Sequence, residues 1–123
     1  MPSERYITLL EELQAMGDDY AAAYRNGDAA GCAAVFTDDG VLYSAFAPPA
    51  MGRAAIAALH VEWTVAGEGK TLTVVDANGS GDVAFARADF AEGRGPSEGH
   101  ALWACTRAPG GPWRIRFCSL TAA

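Results

Sequence analysis

A chain of 123 residues, half hydrophobic and one fifth charged, has the size and composition of one globular domain rather than a disordered or fibrous segment. Its 15 acidic against 9 basic residues leave a net charge of -6, which repels a phosphate backbone or an anionic membrane surface, and the densest basic group, Arg107, Arg114 and Arg116, is too sparse to reverse that. Nucleic acid and membrane are therefore not expected as partners. The apolar runs are far shorter than the roughly 20 residues of a membrane span. The start, MPSERYITLL, lacks the basic, apolar and small-residue sequence of a secretory signal, so the cytoplasm is the expected compartment. Three cysteines, Cys32, Cys105 and Cys118, have neither metal-ligand spacing nor an even count and read as buried small hydrophobes.

Ile7, Leu10, Leu13, Gly17, Tyr20 and Tyr24 recur at steps of three and four and predict an amphipathic helix from about residue 5 to 25. Gly27 supplies a C-terminal stop, and Asp28 caps a short second helix from Ala29 to Phe36. Asp38-Asp39-Gly40 is turn chemistry, and a strand follows from Val41 to Phe46. Pro48-Pro49 forbids its continuation, and Gly52-Arg53 opens a third helix on which Ile56, Leu59, His60 and Trp63 share a side, ending at Gly67 and Gly69. Beyond Lys70 the chain reads as strands at about 70–77, 83–91, 98–107 and 113–121. They are joined by Asn78-Gly79-Ser80-Gly81-Asp82, Gly93-Arg94-Gly95-Pro96 and Pro109-Gly110-Gly111-Pro112. Helices followed by antiparallel strands predict an α+β fold, three N-terminal helices on one face of a curved, mostly antiparallel sheet.

The order of these elements, with GD at 27–28, FTDD at 36–39, the proline loop, GRAAI at 52–56 and the closing GGPWRIRF, resembles the nuclear-transport-factor-like cone fold, in its SnoaL-like and ketosteroid-isomerase-like branch. The resemblance runs from Leu13 to Leu120 and implies one domain over residues 1–123 with a blind apolar cavity between sheet and helices. These motifs are caps, turns and core positions, so they carry fold rather than chemistry. Steroid isomerases of that branch use a strand aspartate as base and a tyrosine with a protonated aspartate as oxyanion donors. By resemblance the tyrosine falls on Tyr20, the base on Ser44, and the protonated aspartate near Leu102, with Ala101 and Trp103 on either side. A serine without an adjacent base does not take a carbon-bound proton at neutral pH, so that mechanism is not expected.

Strand alternation, anchored on Ser44 facing inward, turns Leu42, Phe46, Phe85, Arg87, Asp89, His100, Leu102, Ala104, Trp113, Ile115, Phe117 and Ser119 toward the cavity. Asp89 and His100, with Tyr20 as hydrogen-bond donor, are the candidate catalytic groups; Tyr20, Leu42, Ser44, His60, Trp63, Phe85, Arg87, Leu102 and Phe117 are the candidate ligand contacts. For Arg87 and Asp89 a solvent-side ion pair, and for His60 and Trp63 simple helix packing, stand beside these roles. The two histidines lack ligand spacing, and no phosphate loop, nucleophile motif or dinucleotide fingerprint occurs, so no metal or cofactor is expected. A tight turn at Gly110-Gly111 pairs Trp103 with Cys118 and Cys105 with Arg116. Ala101, Trp103, Cys105, Arg116, Cys118 and Leu120 then lie on the outer face, where the apolar members form a patch that predicts a sheet-to-sheet homodimer. Two functions follow: a non-catalytic homodimer binding a small apolar ligand, or a lyase, isomerase or cyclase acting on a small carbonyl compound by acid-base catalysis.

Overall fold

The computed structural model describes residues 4–92 and 98–122. Among these residues three helices, α1 (Glu4–Arg25), α2 (Ala29–Ala34) and α3 (Arg53–Trp63), are interspersed with six strands, two of them before α3 and four after it. These are β1 (Phe36–Ser44), β2 (Ala50–Met51), β3 (Thr71–Ser80), β4 (Val83–Ala91), β5 (Glu98–Thr106) and β6 (Arg114–Ala122). They form one sheet in the order β2-β1-β6-β5-β4-β3, antiparallel throughout except where β1 runs parallel to β6. The expected α+β arrangement of three helices on a mostly antiparallel sheet is the observed one. The turn expected at Gly93-Arg94-Gly95-Pro96 lies outside the described residues.

Local chemistry explains the entry to the sheet. Gly27 takes φ +68°, where an L side chain would be strained, and ends α1; the Asp28 carboxylate then accepts the Gly31 amide and caps α2. Asp38-Asp39-Gly40 is a bulge inside β1 rather than a turn before it, which starts that strand at Phe36. Asp38 pairs with Arg53 at 2.5 Å and so ties the bulge to the first turn of α3. The two acidic residues thus have structural tasks.

Helix α1 covers the β3 edge. Its Gln14 amide donates to the Leu72 carbonyl at 3.1 Å and accepts the Val74 amide at 2.7 Å, satisfying backbone groups of an edge strand that would otherwise be open. Gly17 faces the sheet so closely that an added Cβ would lie 2.7 Å from Leu72 Cδ2 and 3.3 Å from Trp103 Cη2. The buried core continues through Leu13, Phe36, Leu42, Ile56, Trp103 and Ile115.

The strand faces are the main departure from the sequence reading. Ala84, Ala86, Ala88 and Phe90 of β4 and Ala101, Trp103 and Cys105 of β5 are buried toward the helices, while Phe85, Arg87, Leu102 and Phe117 lie exposed on the other face. Trp103 does pair with Cys118, as the turn predicts, but Cys105 pairs with Ile115 because Arg116 is an extra, bulged residue. Ile115 and Cys118 consequently share the inner face and Phe117 turns outward. Trp103, Cys105, Cys118 and Leu120 are therefore not surface residues of an outer patch: the first three are core, and Leu120 packs against it. Arg116 stays at the half-exposed margin, 3.3 Å from Asp39 and stacked 4.3 Å from the Phe117 ring.

Candidate functional site

Asp89, His100 and Arg87 do come together, but on the outer face of the sheet. Asp89 and His100 are directly opposite in the β4–β5 register, with His100 Nδ1 2.8 Å and Arg87 Nη2 3.3 Å from Asp89 Oδ1. Hydrogen bonding from His100, reinforced by Arg87, lowers the Asp89 pKa and weakens it as a base. Tyr20 is on α1 behind the opposite face. The three expected catalytic groups therefore do not converge, and the reading that makes Asp89 or His100 the base of an interior reaction is corrected. Phe85, Arg87, Leu102 and Phe117 are removed from the interior on the same grounds.

Tyr20 meets His60 instead. The His60 imidazole is fully buried, with Nδ1 2.7 Å from the Ile56 carbonyl and Nε2 2.7 Å from the Tyr20 hydroxyl. A carbonyl can only accept, so Nδ1 carries the proton and Nε2 receives the hydrogen bond from Tyr20. Burial lowers the His60 pKa to about 4, which keeps the ring neutral and this arrangement intact at ordinary pH. The Tyr20 proton is committed to His60. Ser44 is occupied locally, its hydroxyl accepting the Phe46 amide at 3.2 Å.

The inner cone is nearly full. Tyr20, Phe36, Leu42, Leu72, Trp103 and Ile115 leave a void of about 20 Å³, room for one water at most. Space for a ligand lies farther out, in a chamber of about 210 Å³ walled by Tyr24, Phe46, Trp63, Lys70, Phe90, Glu92 and Leu120. Trp63 and Phe46 meet edge to face with centroids 6.3 Å apart. A larger groove, about 460 Å³, is elsewhere, between the start of α1 and the β3–β4 hairpin near Arg107 and Trp113, and the Tyr20, His60 and Lys70 groups lie outside it.

Lys70 is the group that the sequence reading missed. It is 6% exposed, and its ammonium sits 4.2 Å from the Tyr24 ring centroid, 4.5 Å from that of Phe90 and 3.5 Å from Glu92 Oε1. The same carboxylate oxygen accepts the Tyr24 hydroxyl at 2.5 Å. Burial lowers the Lys70 pKa, Glu92 opposing it; burial raises that of Tyr24, with Glu92 adding to the rise. A signal was present in the sequence: Lys70 is the only lysine of the chain, all eight other basic residues being arginine. Lysine is normally among the most solvated residue types, so one buried beside a single carboxylate is unusual. Among the described residues no group of His, Cys, Asp and Glu could hold a metal ion, and no helix is long and apolar enough to cross a membrane.

The model of the SnoaL-like domain matches residues 18–122. The chain belongs to the SnoaL-like domain family. That family includes isomerases, cyclases, dehydratases and ligand-binding members, so membership leaves the reaction open. The fold is shared with a ketosteroid isomerase-like protein from Erwinia carotovora, at TM-score 0.75 and 22% identity over 92% of this chain and 95% of that one. A Mycobacterium tuberculosis protein of unknown function aligns at TM-score 0.82 and 24% identity, covering 98% and 74% of the two chains. A candidate scytalone dehydratase from Novosphingobium aromaticivorans aligns at 0.75 and 16% identity, covering 95% and 85%. At these identities the likeness is one of fold. No curated protein matches the sequence.

Proposed function

We propose that this SnoaL-like domain binds a small, largely apolar compound in the outer chamber, with Lys70, Glu92 and Tyr24 as the polar groups that orient it. The observation that carries this reading is the chamber itself, about 210 Å³ of mainly aromatic and aliphatic wall with the Lys70–Glu92 pair at one side. Ligand sites commonly span about 300–1,000 Å³, whereas benzene fits a cavity of about 150 Å³, so the occupant is a single ring or a short chain rather than a steroid. Its expected contacts are Phe46, Trp63, Phe90 and Leu120, with Lys70 beside a carbonyl or hydroxyl oxygen.

The test is thermal stabilisation by acetophenone and benzyl alcohol compared with a four-ring steroid. Stabilisation by the single-ring compounds alone, abolished by Leu120→Phe, supports the reading. Stabilisation by the steroid, or none by any compound at millimolar concentration, contradicts it.

The outer face supports a homodimer, with different residues from those expected. Tyr43, Phe85, Leu102 and Phe117 are 43–59% exposed on one sheet surface beside the Arg87–Asp89 pair. A second copy stacked on it by a two-fold axis would cover the apolar residues and bring charges of both signs to the rim. Sedimentation at micromolar protein is expected to give a dimer and Leu102→Asp a folded monomer; a monomeric parent chain contradicts this.

A further inference from the structure

The one lysine of the chain is buried rather than held as a surface charge. Lys70 lines both the inner void and the outer chamber, together with Phe90 and Leu120. The Tyr24 and Phe90 rings cover the Lys70 ammonium, and its one carboxylate neighbour among the described residues, Glu92, is at 3.5 Å, long for an ammonium-carboxylate contact. A lysine held this way, desolvated in an apolar pocket, is the form in which an amine attacks a carbonyl carbon. The Glu92 oxygen that faces it is also held by the Tyr24 hydroxyl, so an acid-base group stands within reach of the same reaction centre.

We propose that Lys70 condenses with the carbonyl of a small aldehyde or ketone seated in the outer chamber, forming an imine. The inference rests on the chamber being the binding site. In the forward step the Lys70 ammonium passes a proton to Glu92, and the nitrogen lone pair attacks the carbonyl carbon while the C=O π electrons move to oxygen. The oxygen takes the proton from Glu92, and the nitrogen then yields its second proton to Glu92. Protonation of the hydroxyl by Glu92 lets water leave as the nitrogen lone pair closes the C=N bond. Carbonyl compound and ammonium give protonated imine and water, with no oxidant or reductant consumed.

The groups facing Lys70 leave Glu92 as its counter-charge. Cys32 on α2 and Cys118 on β6 are pushed up to about 12 by burial, Tyr24 on α1 is raised for the same first reason, and His60 on α3 is lowered to about 4. The carboxylate holds the Lys70 pKa up against desolvation. Removing it should therefore move amine formation to lower pH while taking away the proton carrier for loss of water.

The test is benzaldehyde with sodium cyanoborohydride, followed by intact mass and peptide mapping, with acetophenone and benzyl alcohol binding measured in parallel. With one lysine the only other amine is the N-terminus, which serves as an internal reference. The expected result is one benzyl group on Lys70, formed at least tenfold faster than on the N-terminal amine and absent in Lys70→Met. In Glu92→Gln the labelling rate should level off at lower pH and at a value about tenfold lower. Benzyl alcohol binding without a Lys70 adduct overturns the imine and leaves the binding site standing. Loss of both overturns the binding reading as well. A Glu92→Gln variant that labels Lys70 at the parent rate, with an unchanged pH profile, overturns the role given to Glu92.

Discussion

Asp89 and Glu92 stand three residues apart, yet their surroundings have little in common. Asp89 is on the outer face with His100 and Arg87, all about half exposed, in an ion-pair cluster open to water. Glu92 meets Lys70 and Tyr24 at the wall of the outer chamber, where the Tyr24 and Phe90 rings flank the ammonium. Both clusters have a carboxylate, a basic group and good geometry. What separates them is desolvation: the exposed pairs are screened by water and worth little, whereas burial lowers the pKa of the Lys70 amine beside its carboxylate.

The sharpest way to break this comparison is to exchange the faces. Trp103→Ala, on the inner face, is expected to lower the denaturant-derived stability by about 3–5 kcal/mol, and Leu102→Ala on the outer face by under about 1 kcal/mol per monomer. The reverse order would mean that the sheet is packed the other way round. Trp103→Asp is accordingly expected to yield unfolded protein rather than a soluble monomer.

Acid titration probes the interior further. His60 binds its proton at about pH 4 when folded against 6.5 as the unperturbed group, so between these values the unfolded chain holds more protons. Stability contributed by the neutral imidazole is full above pH 6.5 and is lost as the pH falls toward 4, roughly 3 kcal/mol across the window. Urea unfolding at a series of pH values should show this slope, and His60→Leu should lack it; a parent protein equally stable at pH 6.5 and 4.5 contradicts it.

Much of the fold could be read from the chain because it is set by local chemistry: the Gly27 stop, the Asp28 cap, the proline break at residues 48–49 and the tight turn at Gly110-Gly111. The inner and outer faces could not be read in the same way. In VAFARADFA at 83–91 and HALWACT at 100–106, Arg87, Asp89 and His100 share a face with the large apolar Phe85 and Leu102, so that face is of mixed character, and parity carried across the loops from Ser44 turns it inward. The size of the side chains would have helped. Ala84, Ala86 and Ala88 lie on the face that the helices cover, and large residues are left outside. The bulge at Arg116 shifts parity within β6 and has no clear mark in WRIRFCS. Of the site, Tyr20, Leu42, His60 and Trp63 lie on the side of the sheet that the helices cover. Lys70 and Glu92 were passed over because they fall at strand ends, where only tertiary packing brings them together.

Two smaller effects separate the carboxylates. Glu92→Gln removes the counter-charge of a buried ammonium and is expected to cost about 2 kcal/mol in thermal or urea unfolding. Asp89→Asn should leave the unfolding midpoint and the binding of acetophenone unchanged. A larger loss for Asp89→Asn than for Glu92→Gln would assign importance to the wrong cluster.

The most direct measurement is chemical-shift mapping of the isotope-labelled protein titrated with acetophenone. The account predicts saturable shifts at Tyr24, Phe46, Trp63, Lys70, Phe90 and Leu120, with Arg87, Asp89, His100 and Leu102 undisturbed. Shifts confined to the outer face, or none at millimolar ligand, would contradict it.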